Sequence, residues 1–257
     1  MTTPIVPQLP IEMWAEMKPL FAEAFPKEVV VAIHGDKWRQ LTNISQRPAY
    51  CFELHPSDVV ALYDNPPDLL LHSHPSPPAS AEPSDTDTEQ QIKTGWNWGI
   101  VAVTGAAEGQ VYNVAYPECW GDGLPIQPLL GRSYLWGIRD CWTLSRDWYR
   151  LNGYEIANTP RARNPLEYPP GTPQHNQFLY WPEKLGMKPV ARHDRKPGDF
   201  AIFQFKSANL HNHCGIYLGA GKYLHQLEDA LSCEWIPHDE ELVIERWNVL
   251  FFRLPKP

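Results

Sequence analysis

The sequence predicts an α+β protein in two domains, and three observations lead there. Apolar residues recur at helical spacing in some stretches, such as Ile11, Trp14, Met17, Leu20 and Phe21, and as short β-branched or alternating runs in others, such as residues 29–33. A length of 257 residues suits two domains or one large one, with ample sequence to bury cores without disulfides. Residues 116–129 are rich in Gly and Pro and have no periodicity, which marks a linker and decides for two. The expected boundaries are residues 1–115 and 130–257.

Composition removes several function classes. A net charge of −8 argues against a nucleic-acid footprint and against a basic membrane-surface protein. No apolar run approaches the ~18 residues that a membrane span needs. Residues 1–7 have neither the basic region nor the apolar core of a secretory signal. Five cysteines, odd in number and without a CxxC pair, suit reduced thiols made in a cytosol. The 27 prolines predict long, stiff loops.

The first helix is expected over Ile11–Ala24, with Pro10 ahead of it and Phe25-Pro26 ending it. Glu28 then precedes a strand at 29–33 that closes in a turn at His34-Gly35-Asp36-Lys37. A second strand is expected over 49–54, then a short helix capped by Ser57 and a turn at Asn65-Pro66-Pro67-Asp68.

The run Leu69-Leu70-Leu71-His72-Ser73-His74-Pro75 reads as a buried strand whose end carries two histidines. Period two puts His72 and His74 on one face, the way a strand offers two imidazoles to one metal ion. A Pro-rich loop, residues 76–83, leads to Ser84-Asp85-Thr86-Asp87 at the head of a helix ending near Thr94-Gly95. Ser84 and Asp87 fit N-cap and N3 of a capping box, and capping is compatible with ligation. From there Asp87 completes a His-His-Asp set with a fourth position open to water, as in catalytic zinc sites.

These residues resemble the JAMM (MPN) metallopeptidases: an early glutamate, then His-Ser-His-Pro, a loop and Ser-x-x-Asp. The resemblance implies a cytidine-deaminase-like layered α/β domain, zinc on His72, His74 and Asp87, Glu28 as general base and Ser84 beside the oxyanion. Glu53 is the competing carboxylate for the base, and a solvated charge is the structural alternative for Glu28. Two features depart from the family: the loop from His74 to Ser84 is longer than usual, and Val29-Val30-Val31 replaces a run of small residues. Relatives of this type cut isopeptide bonds or tails of ubiquitin-like folds, so a ubiquitin-like protein is an implied partner.

The first domain is expected to finish with strands at 99–103 and 110–115. In the second, Asp140 is a good N-cap, and Trp142, Leu144, Trp148, Tyr149 and Leu151 give an amphipathic helix ending at Asn152-Gly153. That puts Cys141 on the first helical position, where free amides and the macrodipole favour thiolate over thiol. Nucleophile and buried core filler are the two readings of Cys141 from the helix alone.

Residues 158–177, rich in Pro, Arg and Asn, read as a surface excursion. Residues 211–219 read as a strand with His213, Gly215 and Tyr217 on one face and Cys214, Ile216 and Leu218 on the other. A turn at Ala220-Gly221-Lys222 and a strand at 223–227 make a hairpin that brings His225 near His213. The histidines read as a base and its orienting partner, as hydrogen-bonded core imidazoles, or, for His211 with His213, as a metal pair. Final strands are expected at 242–246 and 249–254.

Tyr134-Leu135-Trp136-Gly137 with Asp140-Cys141, then residues 196–203, then His213-Cys214-Gly215-Ile216-Tyr217-Leu218 and His225, resemble NlpC-type cysteine peptidases. That resemblance implies a papain-like α+β fold with Cys141 as nucleophile, His213 as base and His225 as the orienting residue. Its implied substrates are peptidoglycan stem peptides. A JAMM half joined to an NlpC-type half is similar to the tail assembly proteins of long-tailed bacteriophages. It implies other tail tip proteins as partners, synthesis in the host cytoplasm and a place at the virion tail tip. The alternative is a structural tail component whose peptidase folds have lost activity and serve as interaction surfaces.

Overall fold

A computed structural model describes residues 9–76, 79–106, 109–205 and 209–256. Residues 1–7, read above for a signal, and Pro77 and Pro78 of the Pro-rich loop lie outside the described residues. The chain divides into two compact units, residues 1–125 and 126–257.

In the first unit, helix α1 (Ile11–Ala24) buries Met13, Trp14, Met17 and Phe21. Ile11, expected on that face, is exposed at the first position of the helix. Strands β1 (Val30–His34) and β2 (Lys37–Leu41) form a tight hairpin, with Gly35 at φ +59°, a left-handed position that favours glycine. β2 takes the place of the strand expected at 49–54. That segment is irregular apart from a bridge between Leu54 and Asn43, because the Asn43 side chain bonds Cys51 O and Glu53 N in place of a strand ladder.

Helix α2 (Pro56–Asp64) is capped by His55, whose ring accepts from Ser57 N, and not by Ser57 itself. Strand β3 (Leu69–Pro75), helix α3 (Asp85–Thr94) and strand β4 (Trp98–Gly105) make a parallel crossover, which needs a helix-length connection. Strands β5 (Val111–Val114) and β6 (Glu118–Trp120) both pair with β4. The stretch 116–129 is therefore not a linker throughout. β6 belongs to the first sheet, its Gly/Pro flanks having masked a short run that buries Cys119 and Trp120. Sheet order is β2-β1-β3-β4-β5, with β6 off this path on β4. α1 lies on one face over Val31, Ile33, Leu71, Val101 and Val103.

In the second unit, helix α4 (Cys141–Leu151) is followed by helix α5 (Gln177–Lys184) and strand β7 (Lys188–Val190). Strands β8 (Phe200–Phe203), β9 (His213–Gly219), β10 (Lys222–His225) and β11 (Cys233–Trp235) follow, then helix α6 (Glu240–Arg246) and strand β12 (Leu250–Arg253). The antiparallel sheet runs β11-β10-β9-β8-β12-β7.

Alternation along β8 gives the sheet two apolar faces. Phe200 and Ile202 join Cys214, Ile216 and the α4 residues Leu144 and Tyr149, while Ala201 and Phe203 join Tyr217, Tyr223 and Ile244. The expected strand at 242–246 is instead α6. Asp239 caps it by accepting from Leu242 N, Glu240 and Glu241 favour the positive helix start, and Val243, Ile244 and Trp247 meet the sheet at helical spacing. The excursion at 158–177 is only partly a surface loop, since Thr159, Arg161, Ala162 and Gln177 are buried.

Candidate active sites

Asp140 is the N-cap of α4, with its carboxylate accepting from Thr143 N at 2.9 Å and Gly137 N at 2.9 Å. The Thr143 hydroxyl in turn takes the Asp140 N–H, so the helix start is a closed capping box. This fixes Cys141 as the first residue of the helix, buried at 8 % exposure. A hydrogen bond from the Cys214 thiol does most to bring the Cys141 pKa down to about 5; burial works against it, and a hydrogen bond and charge from His213 work with it. Cys214 moves the opposite way: burial and the neighbouring Cys141 sulfur push its thiol well up. The neighbouring sulfurs thus shift in opposite directions, Cys141 towards thiolate and Cys214 towards thiol.

His213 opens β9 and His225 ends β10. In the antiparallel register His225 stands opposite Gly215, so His213 is its diagonal neighbour on the same face. His213 Nε2 and His225 Nδ1 are 3.1 Å apart. Burial, and then the His213 charge, bring the His225 pKa down to about 4, so this ring is neutral at pH 7 and offers Nδ1 as an acceptor. With His225 Nδ1 accepting, His213 Nε2 is the donor of the pair, and the same His213 ring hydrogen-bonds Cys141.

Gly215 makes the approach feasible. A Cβ there would meet Leu224 O at 2.6 Å and His225 Cβ at 3.1 Å. The structure places Cys141, His213 and His225 together, and His211 does not join them, its Nε2 lying 2.8 Å from Asn248 O. Sequence reasoning missed Arg161. Its Nη2 donates to Asp140 Oδ2 at 2.8 Å in a pair that is 5 % and 1 % exposed, tying the buried part of the excursion to the nucleophile's cap. A lone arginine among several in an irregular stretch carries no local signal of that contact. Cys214 was assigned to the apolar face, which it does occupy; its thiol contact with Cys141 was not foreseen.

In the first unit β3 ends with His72 and His74, and α3 starts behind the N-cap Ser84 with Asp87 at N3 in a full capping box. His72 Nε2 lies 3.1 Å from His74 Nε2 and 3.4 Å from Asp87 Oδ1, and His74 Nε2 lies 3.4 Å from Asp87 Oδ2. Among the described residues these three form the group whose donor atoms converge closely enough for one metal ion. The Ser84 hydroxyl donates to Asp87 Oδ2 at 2.7 Å.

Burial lowers the His72 pKa. For His74 burial also lowers it, but hydrogen bonding and charge from Asp87 outweigh burial and leave it raised. Burial raises the Asp87 pKa, yet hydrogen bonds from the two imidazoles outweigh that and hold the carboxyl well below the usual range. Glu28, just before β1, is buried, and burial is the main cause of its pKa rising to about 7. Glu28, His74, Ser84 and Asp87 line one cavity of about 780 Å³. Glu53, the competing carboxylate, is exposed and does not line it.

The NlpC/P60 family matches residues 131–247. Tail tip assembly protein K of Escherichia phage lambda is 29% identical over 167 residues, covering 63% of this chain and 71% of its own. Its namesake from Escherichia phage N15 is 31% identical over 227 residues, covering 82% of each chain. The chain belongs to the tail tip assembly protein K family. A crystal structure of an NlpC/P60 family protein from Bacillus cereus ATCC 10987 aligns at 13% identity and a TM-score of 0.33, over 93% of this chain and 67% of that one, a likeness too loose to carry an argument. Within this tail tip assembly protein K relative, the NlpC/P60 stretch holds Cys141, His213 and His225 and stops one residue past α6. The reading of the first unit rests on its own residues.

Proposed function

We propose that this chain is a phage tail tip assembly protein whose second unit is a cysteine peptidase acting on peptidoglycan stem peptides. The observation that carries the reading is the 3.1 Å contact between His213 and His225 beside a cysteine at a capped helix start. The Cys141 thiolate attacks the amide carbon, and the developing oxyanion sits near the free amides of α4. Protonated His213 gives its proton to the leaving amine, and a thioester forms on Cys141. Water, deprotonated by His213, then attacks the thioester carbon, releasing the acid and regenerating the thiolate and imidazolium. His225 holds the His213 ring in the orientation both steps use. The names of the relatives support a place at the tail tip and other tail tip proteins as partners, and synthesis in the host cytoplasm goes with that reading.

We infer a second hydrolytic site in the first unit, of JAMM type. One donor atom each from His72, His74 and Asp87 lies within 4.8 Å of the others, two imidazoles and a carboxylate of the kind that zinc takes. His74 Nδ1 lies 3.2 Å from Ser80 O, which orients that ring for Nε2 ligation; His72 Nδ1 is buried without a hydrogen-bond partner among the described residues. His72, His74 and Asp87 would hold the ion, which supplies Lewis acidity and a water of lowered pKa. Glu28 lines the same cavity and takes and returns the proton, and Ser84 stands beside the oxyanion. A ubiquitin-like tail protein is the substrate this reading suggests.

The test is elemental analysis for zinc on the purified chain, followed by peptidoglycan digestion with and without a thiol-alkylating reagent. About one zinc per chain and thiol-sensitive peptide release support both halves. Absence of digestion would move the second unit to a structural role, and absence of zinc would do the same for the first.

A further inference from the structure

The cavity at the His72–His74–Asp87 cluster has two unlike walls. One is aromatic and aliphatic. Phe52 and Trp98 flank His72 at ring-centroid distances of 5.1 and 5.7 Å, and Tyr63 packs on Trp96 at 5.2 Å. Val59 and Tyr63 of α2 line the same space and are 37% and 54% exposed, so apolar surface there is open to an incoming group. The other wall is α3, from which Thr86 and Gln90 face the cavity one turn apart, with Thr94, whose hydroxyl bonds Gln91 O and the Trp98 indole, at the next turn. These are uncharged hydrogen-bonding groups along one line.

No lysine or arginine lines the cavity among the described residues, and its acidic groups are Glu28 and Asp87. Its volume of about 780 Å³ lies inside the range of roughly 300–1,000 Å³ that ligand sites occupy. A stripe of neutral polar groups facing an apolar wall matches an extended peptide, which presents main-chain amides to one side and side chains to another. Along the aromatic wall, away from the position of the His72–His74–Asp87 group, a carboxylate would lose its water without meeting a lysine or arginine, a penalty that apolar side chains do not incur.

We propose that this cavity selects an extended, uncharged peptide segment carrying a bulky apolar side chain, and discriminates against acidic segments such as peptidoglycan stem peptides. The two units then act on different substrate classes, protein at the first and cell-wall peptide at the second. The proposal rests on the reading of the first unit as a peptidase, since a peptide is the ligand that reading requires.

The probes are capped heptapeptides, acetylated and amidated, with a Gly/Ser host and a central Phe, Leu or Glu. Binding to the full-length Cys141→Ala chain is measured by calorimetry, once with and once without added zinc. The Phe and Leu peptides are expected to bind at least about tenfold more tightly than the Glu peptide. Val59→Asp and Tyr63→Ala, both at exposed positions, are expected to remove that preference while leaving stem-peptide cleavage at Cys141 unchanged. Equal or tighter binding of the Glu peptide, no binding of any peptide, or an unaltered preference in both variants overturns the proposal. If the Phe peptide binds selectively but the zinc-treated chain never cuts it, the peptidase reading fails while the selectivity of the cavity stands.

Discussion

His213 Nε2 and His225 Nδ1 meet at 3.1 Å across two adjacent antiparallel strands, and the residue opposite His225 in the register is Gly215. The contact between the two histidines depends on that one missing side chain. In Gly215→Ala the new methyl would press on Leu224 O, so β10 must shift and carry His225 with it. A fall in kcat on the order of 10²-fold, with KM little changed, is expected from steady-state kinetics on a stem peptide. Unchanged kcat would show that His225 tolerates displacement.

Replacement of His213 by Ala removes the proton carrier itself, with a loss of about 10²–10⁴-fold in rate. Cys141→Ala should abolish thiol-dependent cleavage while the circular dichroism spectrum stays native, because one sulfur is lost from a helix whose cap is made by its neighbours. Loss of folding would mark Cys141 as core filler.

Reactivity of Cys141 should follow the thiolate. With the pKa lowered to about 5, the thiolate fraction rises as pH climbs through that value and is nearly complete at pH 7. The rate of iodoacetamide alkylation should therefore be almost flat between about pH 6.5 and 8, whereas a free thiol of pKa ≈ 8.5 reacts roughly tenfold faster per unit over most of that interval. Mass mapping separates Cys141 from Cys214, whose raised pKa keeps it a thiol.

The Asp140–Arg161 pair is buried on both sides. Arg161→Ala leaves the Asp140 carboxylate without its counter-charge, at an expected cost of about 3–5 kcal/mol to the second unit, read as a lowered thermal midpoint. Little change in that midpoint would mean that water replaces the guanidinium.

Asp87 carries two roles that substitution can separate. Asp87→Asn keeps a side-chain oxygen for Ser84 N but loses the anionic ligand, so zinc content should fall towards zero with stability nearly kept. Asp87→Ala should lose zinc and, in addition, the half of the capping box that holds the Ser84 N–H, so its thermal midpoint should fall below that of Asp87→Asn. Both variants should cleave stem peptides normally.

Local chemistry made much of this legible. The strand carrying His72 and His74, the capping box of Ser84 and Asp87, the capped helix of Cys141 and the hairpin of His213 and His225 are all short-range patterns, in which neighbours in sequence set the backbone. Where short-range signals conflict, the reading went astray. Leu242-Val243-Ile244 is β-branched enough to suggest a strand, but an Asp cap, two glutamates and packing at helical spacing make it α6. Residues 49–54 look like a strand and are held instead by the side chain of Asn43.

The sequence by itself determined the two halves, their core stripes and the local placement of Cys141, His72, His74 and Asp87, since these depend on periodicity and on capping over a few residues. Tertiary structure alone decided that Arg161 neutralises Asp140, that Cys214 donates to Cys141, and that an aromatic wall faces the polar stripe of α3. Such contacts join residues far apart in the chain, and burial and electrostatic pairing act through space, where no spacing rule reaches.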